Sequence, residues 1–375
     1  MKKNYWVVGI MAMLLMGMFV FSGSLYARFE RFLISTFPSD NVLLARVIQI
    51  HEEHGQINGT VQWFQEIDLE FLSGSVEGEE TVVHSKGLVG ADDAQKLSIG
   101  ETVIVARNTD LDGDAYYITD RYRLPMLVLG FLIFAVAVIL FGKWRGLTSF
   151  LGLMVSILIL VLYVVPQILA GSDPLFVSLV GSAVIAFTSL YLAHGFSART
   201  TIALVGTIST IVIAVLLTVV FVDALQLLGI STEESFVLRY EIEAINLQGI
   251  LLAGIIIGML GVLDDVTIGQ AATISEIKKA NPALKFKELY THGISVGREH
   301  IASLVNTLVM AYAGAALPLF LLIVIQSGDV PVWLAINGEP IAEEIARSLI
   351  GSVALILAVP ITTFLAAYYY DKYAN

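Results

Sequence analysis

The stretch GVLDDVTIGQAATISEI, from Gly261 to Ile277, sets two adjacent carboxylates, Asp264 and Asp265, at the end of a long apolar run, with Gln270 and Glu276 following. A charge at mid-bilayer costs about 2.5–3.5 kcal/mol on insertion scales, so an acid in such a run faces protein or water and marks an ion or proton path. At about 100° per residue, Gly254, Gly258, Gly261, Gly269, Ala272 and Glu276 fall within roughly 40° of Asp265. Glycines at this spacing let a neighbouring backbone approach, so the stripe is expected to pack on another helix. An acid on that face needs a cation, a proton or a hydrogen-bond donor. The alternative is that Asp264 and Asp265 end the helix on the cytoplasmic side and are solvated.

A companion helix follows. Glu299, Ser303, Asn306, Met310 and Ala313 share one face, and Arg298, Glu299 and His300 stand at its entrance, where they could complete a path with Asp265. The other reading of Asn306 is a packing hydrogen bond, and of the triad a solvated flank. Two stretches beginning at histidine, HGFSARTTIALVGT from His194 and HGISVGREHIASLVNT from His292, are faintly alike and would fit a parallel internal repeat. No phosphate loop, zinc motif or Ser/His/Asp signature is present, so no enzyme activity is expected, and the sequence names no cofactor. As adjacent helical residues, Asp264 and Asp265 diverge by about 100° and would make a poor catalytic dyad.

These residues need helices long enough to cross a bilayer. About 20 apolar residues span about 30 Å of hydrocarbon. Eight such spans are expected: Asn4 to Ala27, Leu124 to Gly142, two within Gly146 to Ala193 divided at Gly171-Ser172-Asp173-Pro174, Thr200 to Val222, Ala244 to Leu263, Ile301 to Gly328, and Ser348 to Tyr370. Pro318 and Pro360 are expected to kink or break the last two. Lys2, Lys3, Lys143, Arg145, Arg199 and the basic residues of a loop at about 277–299 all fall on one side, so both termini are expected in the cytoplasm. The first span could instead be a signal peptide.

Between the first two spans, residues 28–123 change to short alternating runs and are expected to lie outside the membrane. Candidate strands are Val42 to His51, Val61 to Leu72, Thr81 to Leu88, Glu101 to Asn108 and Ala115 to Arg121, with a turn at Asn58-Gly59. His51-Glu52-Glu53-His54 and the acidic LDGD at Leu111 are weak metal-site patterns, better read as solvated surface. The fold class is therefore a polytopic α-helical membrane protein of about eight transmembrane helices, with a small extracytoplasmic β domain, barrel- or sandwich-like, after the first helix. Its parts are an anchor at 1–27, the β domain at 28–123 and a seven-helix membrane domain at 124–375.

Composition agrees with a bilayer as solvent: 57% of the 375 residues are hydrophobic and 14% charged, and the mean hydropathy is +0.80. A net charge of −12 argues against a nucleic-acid partner. With no cysteine, any metal must be held by oxygen or histidine, and which metal, if any, is not legible. The segments GVLDDVTIGQAATISE, GREHIASLVNTLVMAYAGAALPL and HGFSARTTIALVGT resemble the bacterial YibE/F-like membrane proteins, and the resemblance extends over the β domain ahead of Tyr122-Arg123-Leu124-Pro125. It implies a multipass plasma-membrane protein and supplies no reaction or ligand. The expected function is a permease or secondary transporter for an ion or small solute. The rivals are a platform whose external domain binds an envelope protein or a second copy of the chain, and an intramembrane enzyme.

Overall fold

The computed structural model describes residues 41–57, 60–84, 96–110, 113–242, 245–326 and 331–373. The expected first span and the Asn58-Gly59 turn lie outside them. The chain forms two compact units, Met1–Phe141 and Gly142–Asn375.

In the first unit, alternation of apolar and polar residues produces five antiparallel strands: β1 (Val42–Ile57), β2 (Thr60–Phe71), β3 (Glu80–His84), β4 (Thr102–Asp110) and β5 (Gly113–Arg121). They make one sheet in the order β3-β2-β1-β4-β5. The edge strands β3 and β5 nevertheless approach each other, so the sheet curls toward a barrel and is not a sandwich. Bulges between Val47 and Gln49 and between Ile104 and Val105 supply local twist. The inner face carries every second residue, Leu43, Ala45 and Val47 against Ile67, Leu69, Phe71, Val103 and Val105. Of the weak metal patterns, His51 meets Asp68 at 3.7 Å and Asp114 pairs with Arg107. No group of three potential ligands forms among the described residues. At the end of β5, the Arg123 side chain and the Arg121 amide donate to Asp120 and hold its carboxyl below the usual aspartate range. The stability this adds is present above that range and is lost as pH falls through the lowered value.

The helices are α1 (Leu124–Ile159), a π-helical turn at Leu160–Val164, α2 (Val165–Leu169), α3 (Pro174–His194), α4 (Ala198–Ala224), α5 (Glu233–Glu241), α6 (Leu247–Ala280), α7 (Phe286–Ala315), α8 (Leu317–Gln326), α9 (Val332–Asn337) and α10 (Glu339–Lys372). Among the described residues five stretches are long and apolar enough to cross a membrane, and a sixth if α7 and α8 count as one bent span. The first of these, Leu124–Leu169, is interrupted at Lys143, whose φ of 54° is left-handed. Farther along it, Pro166 has no N–H for the preceding turn, and the helix widens into the π turn just before it. Asp173 caps α3 by accepting from the Phe176 amide at 2.8 Å, with Pro174 at the first helical position. The expected break at Pro318 is a 62° bend between α7 and α8, whereas Pro360 stays inside a continuous α10.

α6 and α10 form the centre of the second unit, each with 56% of its most apolar stretch buried. They run parallel: Leu251 and Leu252 cluster with Ala346 and Ile350, Met259 and Leu263 with Leu355 and Ala358, and Ile274 with Ala366 and Ala367. The glycines that permit close packing are not the expected ones. A Cβ at Gly254, Gly261 or Gly269 would meet nothing, and one at Gly258 would meet only the Tyr312 hydroxyl, because that face of α6 turns away from its neighbours. Contacts that a side chain would break occur instead at Gly206 on Thr362, Gly293 on Ile274 and Thr363, and Gly297 on Val359. Gly293→Leu is accordingly expected to destabilise the detergent-purified protein by about 1–3 kcal/mol. Gly254→Leu is expected to leave its thermal midpoint unchanged; equal shifts for the two variants would contradict this packing.

Candidate functional site

The alternative in which Asp264 and Asp265 end a helix does not hold, whereas the helical spacing read as far as Glu276 is that of one helix. α6 runs for 34 residues, from Leu247 to Ala280. Asp264 lies 17 residues beyond its start, about 26 Å along the axis. The two carboxylates are therefore mid-helix groups and do not mark a helix end.

Their divergence around the helix gives them different surroundings. Asp264 turns inward: its Oδ2 accepts from the Ser189 hydroxyl of α3 at 2.8 Å and its Oδ1 from the Thr207 hydroxyl of α4 at 3.4 Å. Thr207 and Thr267 share a further hydrogen bond of 2.8 Å, and both are fully buried. With Thr207 donating to Asp264, the one Thr267 proton goes either to the Thr207 hydroxyl or to the Asp264 carbonyl, 3.2 Å away. Asp265 is exposed. Both carboxylates line a cavity of about 350 Å³ with Ser149 and Ser156 of α1, Ser189 and His194 of α3, and Gly261 of α6. The charges of Arg199, Arg145 and Asp265 all act on His194 at its mouth. Leu160 of the π turn completes one wall.

Gln270 lies a turn and a half farther along α6 and is fully buried. Its Nε2 donates to the Gly293 carbonyl of α7 and to the Thr363 hydroxyl of α10, each at 2.7 Å. The amide thus joins three helices at one point. Its Oε1 has no hydrogen-bond partner among the described residues.

The remaining expected residues stand apart. Glu276 is exposed and paired with Lys279 at 2.7 Å. Arg298, Glu299, His300 and Asn306 are exposed on α7 and do not line the cavity; Glu299 and Asn306 lie on the face opposite Leu289, Gly293 and Gly297, through which α7 packs against α6 and α10. His194 ends a helix before a loop, whereas His292 lies inside α7, so the two similar stretches do not occupy equivalent places.

A second cavity, of about 250 Å³, sits in the α7–α8 bend and is almost wholly apolar, with Tyr312, Glu344 and Ser348 its polar residues.

The YibE/F-like protein family matches this chain over residues 130–372. The chain belongs to the YibE/F-like family. The match holds the whole Asp264 cavity and begins after the β sheet, which lies outside the matched stretch and not within it as the resemblance had implied. No curated protein and no solved structure matches the chain.

Because a YibE/F-like chain without cysteine allows single thiols to be placed at will, access to the cavity is open to direct measurement. Cysteines replacing Ser156 and Asp265 are expected to react with a water-soluble maleimide about tenfold faster than one replacing Thr267. Equal rates would show that the cavity is closed to water.

Proposed function

We propose that this YibE/F-like protein is a permease that binds a small cation, most simply a proton, at Asp264 as the translocated or coupling ion. One observation carries the reading. A carboxylate in the middle of an apolar helix has its two oxygens taken by hydroxyls from two other helices, beside a cavity that also holds Asp265 and His194. Ionisable groups inside a membrane face such interiors and mark ion or proton paths. No three His, Asp or Glu residues converge as a metal site among the described residues, which disfavours a coordinated divalent ion.

The membrane arrangement belongs to the same proposal. The 46 residues of Leu124–Leu169 would extend about 69 Å as one helix, twice the hydrocarbon thickness. Broken at Lys143, they serve as two spans; with the bent α7–α8 pair and the stretch Asn4 to Ala27 the total reaches eight. The side on which the basic residues fall supports a topology with both termini in the cytoplasm of a bacterium and the β sheet outside its plasma membrane. A second reading, an external sheet that captures an envelope partner, draws support from its being a separate compact unit outside the family match.

The test is proton or cation flux into liposomes holding the full-length protein. Asp264→Asn is expected to slow flux by roughly tenfold or more, the loss that removing about 1.4 kcal/mol of binding would give. Glu299→Gln is expected to leave the rate unchanged. Wild-type flux in Asp264→Asn would defeat the proposal, and so would the absence of flux in the wild type.

A further inference from the structure

A buried acid sits at the far end of the helical unit from the half-buried Asp264. Glu343, in the second turn of α10, is only 4% exposed. Its Oε2 accepts from the Ser231 hydroxyl at 2.5 Å, while Oε1 is buried with no hydrogen-bond partner among the described residues. The charged groups acting on it are Glu339, Arg347 and Glu344. Glu339 is already engaged, its Oε1 accepting from the Leu228 and Gly229 amides at 2.6 and 3.0 Å. Arg347 is paired with Glu344 at 3.5 Å. Neither neighbour supplies the missing partner.

An ionised carboxylate held this way costs several kcal/mol, because one oxygen has given up water and received nothing in return. A bound proton removes the charge, the larger part of that cost: it sits on Oε1 and leaves the Ser231 bond to Oε2 undisturbed. A metal cation would not serve as well, since oxygen-ligated ions take about six ligands and a single hydroxyl is at hand. The route to water is short. Ser231 is half-buried, and the adjoining Thr232 is exposed at the start of α5.

The position relative to Asp264 follows from the parallel course of α6 and α10. Ala346 and Ile350 lie level with Leu251 and Leu252 near the start of α6, which puts Glu343 about 25 Å from the level of Asp264 along the helix axes. We propose that Glu343 is a proton-binding carboxyl at the opposite end of the helical unit from Asp264, exchanging its proton with water through Ser231. Its role as the far station of a transport path rests on the permease reading; its binding of a proton does not.

Infrared difference spectra of the full chain in lipid, taken between about pH 5 and pH 9, test this directly. A neutral-carboxyl band that titrates in the wild type should vanish in Glu343→Gln and persist in Asp264→Asn. Ser231→Ala leaves the carboxyl in place and should shift the same band, so the test survives if the glutamine variant fails to fold. Spectra unchanged by both Glu343→Gln and Ser231→Ala would overturn the assignment. An intact Glu343 band in a protein that moves no protons would overturn the permease reading alone.

Discussion

The constraint on which the helical unit depends is that polar groups on its central helix must find partners on other helices. Water cannot supply them in a hydrocarbon setting, where every unsatisfied donor or acceptor is costly. α6 carries Asp264, Thr267 and Gln270 within two turns. Each is met from outside the helix: Asp264 by α3 and α4, Thr267 by α4, Gln270 by α7 and α10. These bonds fix the rotation of α6 against four neighbours at once. Apolar packing alone specifies such a rotation poorly, since one leucine face resembles another.

The close approaches follow from the same requirement. A Gln270 amide can reach two helices only if their backbones come near, and Gly293 and Gly297 remove the side chains that would hold α7 away. On the α4 side, Gly206 lets Thr362 of α10 come close beside Thr207, so the hydroxyl network and the tight packing are adjacent. The expected stripe of glycines around Asp265 serves no such purpose, because the carboxylate that faces the interior is the neighbouring one.

Much of this was legible in the chain, and the limits have physical reasons. Five strands, the Pro318 bend and the turn before Pro174 follow from alternation and from proline chemistry, which act locally. The helical spacing followed past the apolar stretch as far as Glu276 holds as well, since α6 runs on through polar residues that still favour helix. The partners of Asp264 had a readable signal. Ser178, Ser182 and Ser189 recur at helical spacing on α3, and Thr200, Thr207, Thr210 and Thr218 on α4, all on the buried sides of apolar helices. Hydroxyls at such spacing mark the face that meets another polar helix. Which of two adjacent aspartates turns inward is not legible, because the apolar residues of α6 are spread around its whole circumference.

The geometry also decides between two origins for a site. If an internal repeat generated it, equivalent segments would contribute equivalent groups, as when transporter sites form at repeat interfaces. His194 and His292 fail that comparison: one closes a helix at the cavity mouth, and the other is embedded in α7 with the cavity elsewhere. The cavity draws instead on α1, α3 and α6, with α4 supplying a hydroxyl from behind. The weight of any ion-binding argument therefore falls on the half-buried Asp264 carboxylate and its two hydroxyl donors, and not on symmetry.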